Sequence, residues 1–392
     1  MKASIAALAA AGLALTGLAT AAPAQAQTTL DSDATHALIM DYDTGLVLFS
    51  KNGDEPMPPA SMSKIMTVLM VFEALKAGSI TMETEFETSE HAWRTGGFAS
   101  GSSTMCLEPD ERVTVDDLLH GVIVLSGNDA SITLAEGLSG SEEAFAADME
   151  YRAQELGLTS ASFANATGWP DPEHRISARD LAEVARITIR DHPELYAIYA
   201  EREFDFCTEA PSNRYNRNPV LGLIDGADGL KTGHTEESGY GLVASAVRGG
   251  ERRIIVFNGL DTNAGRSREA ERLTRAAFAD FQIARPFQAG DIVGEAPVYL
   301  GVTDTVPLRV EEEVTVGFHR RAGRDVEARL VYDGPLRAPI AEGDVIGTLV
   351  LDIPGTEAIE RPLIAAADIP KEGLMGQAMA GLLHLIRSGD DG

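Results

Sequence analysis

Basic residues are scarce in this chain, and lysine is the scarcest of them. Against 60 aspartates and glutamates stand 32 lysines and arginines, only six of them lysine, which leaves a net charge of −28. Such a chain has no basic stripe with which to displace counterions from a phosphate backbone, so nucleic-acid binding is excluded. The acidity bears on solubility and leaves the fold open. Cysteine is rarer still: Cys106 and Cys207 are the two present. Neither belongs to a C-x-x-C pair or stands beside clustered histidines, so no metal site and no cofactor is expected. They read either as one disulfide of an exported protein or as two buried small hydrophobes. Beyond residue 26 there is no internal repeat and no low-complexity tract.

Within the first 26 residues the text is of another kind. Lys2 precedes an uncharged, apolar or small stretch from Ile5 to Ala22, and Ala24-Gln25-Ala26 is a small-x-small cleavage site. This is the pattern of a Sec-type signal peptide, with a mature chain from Gln27. The alternative reading is an uncleaved anchor; under both, the body is exported.

A length of 392 residues argues for more than one core. From Thr35 to about residue 284, strand-like and helix-like segments alternate. Residues 37–40 and 46–49 flank a turn at Asp43-Thr44-Gly45 and read as a hairpin. Helices are expected over 61–77, 116–125, 129–138, 142–157, 178–190 and 267–280, the first stopped by Gly78. Residues 241–247 and 253–257 flank Gly249-Gly250 as a second hairpin. Strands at both ends with helices between them imply one sheet flanked by helices, an α/β catalytic domain. After Ala284-Arg285-Pro286 the style changes to short β-rich runs at 306–310, 314–316, 328–332 and 345–351, the pattern of a small all-β sandwich. The expected domains are 1–26, 27–284, 285–368 and a helical tail at 369–392.

Three short motifs carry chemistry. Ser61-Met62-Ser63-Lys64 places a hydroxyl and an amine one helical turn apart just after Pro58 and Pro59. A serine becomes a nucleophile when a base takes its proton, and a lysine can do so once burial or a neighbouring cation makes it neutral. Ser126-Gly127-Asn128 ends the apolar run 121–125, and Lys231-Thr232-Gly233-His234 precedes the strand expected at 239–247. Each alone has a bland reading: a helix cap, a turn, a strand-leading loop. Together and in this order, 65 and then 105 residues apart, they are the S-x-x-K, S-x-N and K-T-G set of serine β-lactamases and penicillin-binding proteins.

With these motifs the chain resembles the low-molecular-mass penicillin-binding proteins, the D-alanyl-D-alanine carboxypeptidases of the penicillin-binding protein 5/6 kind. The likeness runs through MDYDTGLVLFSKN, PPASMSKIMT, VIVLSGNDA, NRYNRNP, DGLKTGHTEESGYGLVAS and SREAERL, and on through APIAEGDVIGTLVL and ERPLIAAADIPKEG in the second domain. It implies a DD-peptidase catalytic fold followed by a β-sandwich and an amphipathic tail. It also implies removal of the terminal D-alanine from peptidoglycan pentapeptide stems through an acyl-enzyme on Ser61, a site that β-lactam antibiotics acylate covalently. Lys64 is then the base, Ser126 relays a proton to the leaving amine, and Asn128 holds the substrate amide and orients Lys64. Lys231 keeps the site electropositive, and Thr232 and Gly233 line the strand beside the peptide. The N–H groups of Ser61 and His234 form the oxyanion hole, and Arg268 meets the substrate's terminal carboxylate. The cysteine pair and the tail, poor in aromatic and basic residues, depart from the family pattern.

In the tail, Leu374, Met375, Ala378, Met379, Leu382, Leu383 and Ile386 recur at helical spacing. This stripe is too short to span a bilayer and by itself could dock on the protein or lie in a membrane surface; the resemblance implies the second, peripheral attachment to the outer face of the cytoplasmic membrane, in the periplasm. Two rivals remain. A β-lactamase shares the motifs but needs fast deacylation, usually by a glutamate-activated water; residues 163–169, Phe-Ala-Asn-Ala-Thr-Gly-Trp, carry no glutamate. A non-catalytic envelope-binding protein has no need of intact Ser61, Lys64, Asn128 and Lys231.

Overall fold

The computed structural model describes residues 30–207, 213–321, 326–353 and 358–373. The signal peptide and the apolar stripe from Leu374 lie outside the described residues. The described chain forms two compact units, one over Leu30–Phe281 and one from Gln282 onward. This boundary lies slightly before the expected change of style at 284–286. Those residues fall inside a strand, in a two-stranded ribbon where proline's missing N–H is tolerated at an edge.

The first unit is built on a five-stranded antiparallel sheet. Its strands are β1 (His36–Asp41), β2 (Val47–Lys51), β5 (Ala227–Thr235), β6 (Gly239–Arg248) and β7 (Glu251–Leu260), in the order β2-β1-β7-β6-β5. Leu38 of β1 sits opposite Val256 of β7, so the beginning of the unit is stitched to its end. Gly249 and Gly250 both take positive φ, 62° and 85°, and join Arg248 directly to Glu251. That is the two-residue turn whose twist matches a hairpin. The middles of β6 and β7 are buried on both faces, because helices cover the sheet from two sides. Their sequences therefore run apolar without alternation.

Between β2 and β5 come α1 (Lys64–Ala77), a small ribbon of β3 (Glu85–Glu87) and β4 (Arg112–Thr114), α2 (Glu90–Gly96), α3 (Val115–His120), α4 (Asn128–Ser139), α5 (Glu142–Glu155), α6 (Ala178–Asp191) and α7 (Pro193–Tyr196). The closing helix α8 (Asn263–Ala279) packs on β6 and β7. α1 runs through the core, with Ile65, Leu69 and Phe72 fully buried, and stops at Gly78 in the left-handed conformation. Ser141, Ser177 and Thr262 cap α5, α6 and α8 by accepting an N–H from the following turn.

Three helix boundaries differ from the sequence reading, and all three lie at the site. A 3₁₀ turn, Ala60–Ser63, precedes α1, so Ser61 sits on that turn. The helix expected over 116–125 ends at His120 and widens into one π-helical turn, Gly121–Leu125, which delivers Ser126 with φ 64°. A non-glycine residue at positive φ is uncommon, and such strain clusters at functional sites. α8 starts about one turn before Ser267, because the Thr262 hydroxyl caps it.

The described residues of the second unit form β-strands and their connections. Its main sheet has the order β12-β14-β15-β10-β9-β13, from Glu327–Tyr332, Val345–Asp352, Ile359–Ala365, Thr305–Arg309, Ile292–Tyr299 and Leu336–Arg337. A ribbon of β8 (Phe281–Phe287) and β11 (Val314–His319) faces it. Val314, Val316 and Phe318 share one apolar core with Val306, Leu308, Leu349 and Leu363. Two layers over one core make the sandwich that the β-rich runs imply.

Candidate active site

The chemistry of the site follows from the burial of one amine. Lys64 is the first residue of α1, and its side chain is fully buried. Its Nζ lies 3.0 Å from Ser61 Oγ, 2.6 Å from Asn128 Oδ1 and 2.5 Å from the carbonyl oxygen of Thr167. Taking an ammonium out of water costs several kcal/mol, so burial favours the neutral form. Burial is the main reason that the Lys64 pKa falls from 10.5 to about 7; the cation of Arg217 lowers it further, while Glu142 and Asp129 oppose. A neutral amine has two N–H bonds and one lone pair. The Asn128 oxygen and the Thr167 carbonyl can only accept, so they take both N–H bonds. The lone pair is left for the third neighbour, the Ser61 hydroxyl.

Each wall of this arrangement has a local cause. Thr167 lies on a loop folded around Asn165, whose Oδ1 accepts the N–H groups of Thr167, Gly168 and Trp169. The loop docks on α1 through the Thr67 hydroxyl, which donates to the Ala166 carbonyl at 2.8 Å. Gly168 has φ 78°, and a Cβ there would stand 2.0 Å from the Ala60 carbonyl oxygen. Only glycine lets the loop come this close to the turn that carries Ser61.

Asn128 opens α4. Its N–H donates to the Ser103 carbonyl at 2.7 Å, and its Nδ2 donates to Ser102 Oγ at 3.0 Å, which turns Oδ1 toward Lys64. The loop holding Ser102 is itself fixed by Asp129, whose carboxylate accepts the N–H groups of Met105 and Leu107. Burial raises the Asp129 pKa, and these hydrogen bonds resist the rise. Ser126 Oγ is buried and takes no protein partner in this arrangement.

The opposite wall is β5. Lys231, Thr232 and Gly233 lie in its middle, opposite Val243, Leu242 and Gly241. A Cβ at Gly233 would stand 2.8 Å from the Pro59 carbonyl, so the strand presses against the 3₁₀ turn because position 233 has no side chain. The Lys231 amine is buried and donates to the Thr232 carbonyl. Burial pushes its pKa well below 10.5, and Arg217, Lys64 and Arg266 add to the effect. His234 is exposed, with its ring stacked on Tyr240 at 3.8 Å between centroids.

Two models of known families match the chain: D-alanyl-D-alanine carboxypeptidase over residues 20–262, and the C-terminal domain of penicillin-binding protein 5 over residues 281–371. The chain belongs to the D-alanyl-D-alanine carboxypeptidase family. It is 38% identical over 348 residues to the D-alanyl-D-alanine carboxypeptidase DacC of Escherichia coli (strain K12), covering 88% of this chain and 86% of that protein. The crystal structure of penicillin-binding protein 5 from Haemophilus influenzae is 36% identical, with a TM-score of 0.69 over 88% of this chain and 99% of that one. DacD from Francisella tularensis gives a TM-score of 0.77 at 28% identity, covering 91% of this chain and 98% of that one. Like its family, the protein is a hydrolase of the carboxypeptidase class and a penicillin-binding protein.

Within this carboxypeptidase frame, three groups at the site escaped the sequence reading. The Thr167 carbonyl is backbone, and no side chain announces it. Arg217 stands in the N-R-Y-N-R-N-P segment, solvent-exposed on one side, with NH2 donating to the Leu125 carbonyl at 2.9 Å. Burial of its guanidinium lowers its pKa, yet an arginine stays charged at any ordinary pH.

The third is Arg266. It is buried, its charge reaches Lys231, and its guanidinium lies 5.5 Å over the Tyr240 ring. Burial, with Arg217, lowers its pKa to about 10. Arg268, the arginine expected here, is exposed on α8. α8 starts early enough to include position 266, which shares the buried face of Ala270, Leu273 and Ala277, whereas position 268 lies on the opposite face. Arg266→Gln is therefore expected to slow acylation by a carboxylate-bearing penicillin about tenfold, the worth of one charge-assisted contact. Arg268→Gln should leave that rate within about twofold, because exposed charges are screened. The opposite ranking of the two rates would put Arg268 at the site.

Proposed function

We propose that Ser61 is the nucleophile of a serine D-Ala-D-Ala carboxypeptidase that trims peptidoglycan pentapeptide stems, and that Lys64 is its base. The observation that carries this reading is the buried Lys64 amine 3.0 Å from Ser61 Oγ, with the Asn128 and Thr167 oxygens placed to accept both N–H bonds of its neutral form. Ser61 Oγ attacks the carbonyl between the two terminal D-alanines while Lys64 takes its proton. The oxyanion forms between β5 and the 3₁₀ turn, where the N–H groups of Ser61 and His234 would receive it. Ser126 Oγ, buried and with no hydrogen-bond partner among the described residues, relays the proton held by Lys64 to the departing amine, which leaves Lys64 neutral again. Released D-alanine leaves an ester on Ser61, and water attacks it with Lys64 again as base. The cations Arg217 and Arg266, with the N–H donors of the Lys231 amine beside them, favour the terminal carboxylate of the substrate, and the carboxylate of penicillin in the same place. Asn128 and the edge of β5 at Thr232 and Gly233 hold the peptide.

A lactamase reading is less well supported. The loop over 163–169 has no carboxylate, and its Thr167 carbonyl is occupied by Lys64.

We further propose, on sequence grounds, that the protein works in the periplasm and that the stripe from Leu374 to Ile386 attaches it to the membrane surface. Among the described residues no helix is long and apolar enough to cross a membrane.

Three variants test these proposals. Ser61→Ala should abolish covalent penicillin labelling and D-alanine release from a peptide ending in D-Ala-D-Ala. Lys64→Arg, which keeps the charge but offers no neutral amine, should slow acylation at least about a hundredfold. Labelling of the alanine variant, or near-normal acylation of the arginine variant, would refute the respective assignment. Deletion of 373–392 should leave hydrolysis of a small soluble peptide intact and move the protein from the membrane to the soluble fraction. Full-length protein that is already soluble after gentle lysis would refute the attachment.

A further inference from the structure

Cys106 and Cys207 are bonded to each other across 101 positions of sequence. The bond joins two segments that reach the catalytic amine from different sides. Cys106 belongs to the loop that carries Ser102 and Ser103, the groups that hold the side chain and the N–H of Asn128. Cys207 is buried just after a stretch that is hydrogen-bonded to the Arg217 segment: the Phe204 N–H donates to the Arg214 carbonyl and the Asn216 N–H to the Arg202 carbonyl, both at 2.8 Å. A second tie runs beside the bond: Asn213 Nδ2 donates to the Thr104 carbonyl at 2.6 Å. Thr104 Oγ1 in turn donates to Asp129 and accepts the Cys106 N–H at 2.8 Å.

We propose that the Cys106–Cys207 disulfide is a positioning pair for catalysis, clamping the Asn128 wall to the segment that brings Arg217 over the cleft. It acts on Lys64 without touching substrate, and it rests on the reading of Lys64 as the base. The charged and titratable groups that face Lys64 are Arg217, Glu142 and Asp129, together with Lys231 and His174. Glu142 is held independently, by the N–H of Ala166 and by His91. His174 is held by Phe163 and the Ala164 N–H, and Lys231 by β5. Among these groups, Asp129 gathers the loop that carries Cys106, and Arg217 stands in the segment joined to Cys207; the Leu125 carbonyl and the anchored side chains of Asn216 and Asn218 also hold Arg217, so the disulfide refines its position. Opening it would admit water beside Lys64 and loosen Arg217. Both changes favour the ammonium, so both move the onset of base catalysis to higher pH.

The experiment is the pH profile of acylation by a fluorescent penicillin, run on the whole mature chain, wild type against Cys106→Ser/Cys207→Ser. The wild-type profile should rise through an acidic limb near neutral pH. In the double variant that limb should shift upward, so that below pH 7 acylation falls about threefold or more, the consequence of half a unit or more. The loss should shrink on the alkaline plateau. Limbs that superimpose, with only the melting temperature lowered, would overturn the proposal and leave the bond a stabiliser alone. If the serine pair does not fold, wild-type protein reduced with a phosphine and capped with iodoacetamide replaces it, and is read in the same way. A wild-type profile without an acidic limb would overturn the base assignment itself, and the clamp with it.

Discussion

One uncharged amine among three oxygens is the constraint on which the site depends. An ammonium at Lys64 would donate to all three neighbours and leave Ser61 without a base. A lysine in water would be such an ammonium at neutral pH. Burial removes that option more strongly than any single neighbour does, and the Arg217 cation adds to it. The hydrogen-bond acceptors then decide which way the lone pair points. In the proposed reaction, catalysis begins with the placement of a lysine at the start of a core helix, where solvent cannot reach its tip.

The surrounding fold supplies the walls that keep this arrangement closed. Gly233 lets β5 lie against the 3₁₀ turn, and Gly168 lets the Thr167 loop lie against the same turn from elsewhere. The π-helical turn turns Ser126 inward at a backbone angle that helical geometry does not reach. Asp129, a buried carboxylate surrounded by N–H donors, fastens the Ser102 loop to the start of α4. These devices cost local stability, in glycine entropy and in positive φ. The apolar core around α1 and the doubly covered sheet offset that cost.

Much of this was legible in the sequence, and what was not had physical reasons. The three motifs named Ser61, Lys64, Ser126, Asn128 and the Lys231-to-His234 stretch, and the structure brings Lys64 against Ser61 and Asn128. The hairpins at 36–51 and 239–260 followed from turn residues between apolar runs. The Thr167 carbonyl could not be read, because a backbone acceptor leaves no trace in residue type. Arg217 had a trace, its place in an asparagine-rich segment, but nothing in that segment says that it overlooks Lys64. Arg266 was recoverable from Thr262, a good N-cap: a helix starting there includes Arg266 on its buried face and has Arg268 on the opposite one. The cysteine pair stayed open because spacing alone does not distinguish a bond from two buried thiols. The strands β8, in the two-stranded ribbon, and β9 and β15, in the six-stranded sheet, lacked clear alternation, since the exposure along each is mixed.

The central claim is that Lys64 loses its proton near pH 7 in the free enzyme, far below an ordinary lysine, so that a large share of it is a neutral amine there. NMR titration of protein carrying carbon-13 at the lysine Cε tests it directly, since the whole chain has only six lysines. Comparison with Lys64→Arg identifies the Lys64 signal by its disappearance. The account predicts that this signal titrates near pH 7. A Lys64 signal that holds the ammonium shift up to pH 9 or beyond, in an ordinary lysine's range of about 10, would contradict it.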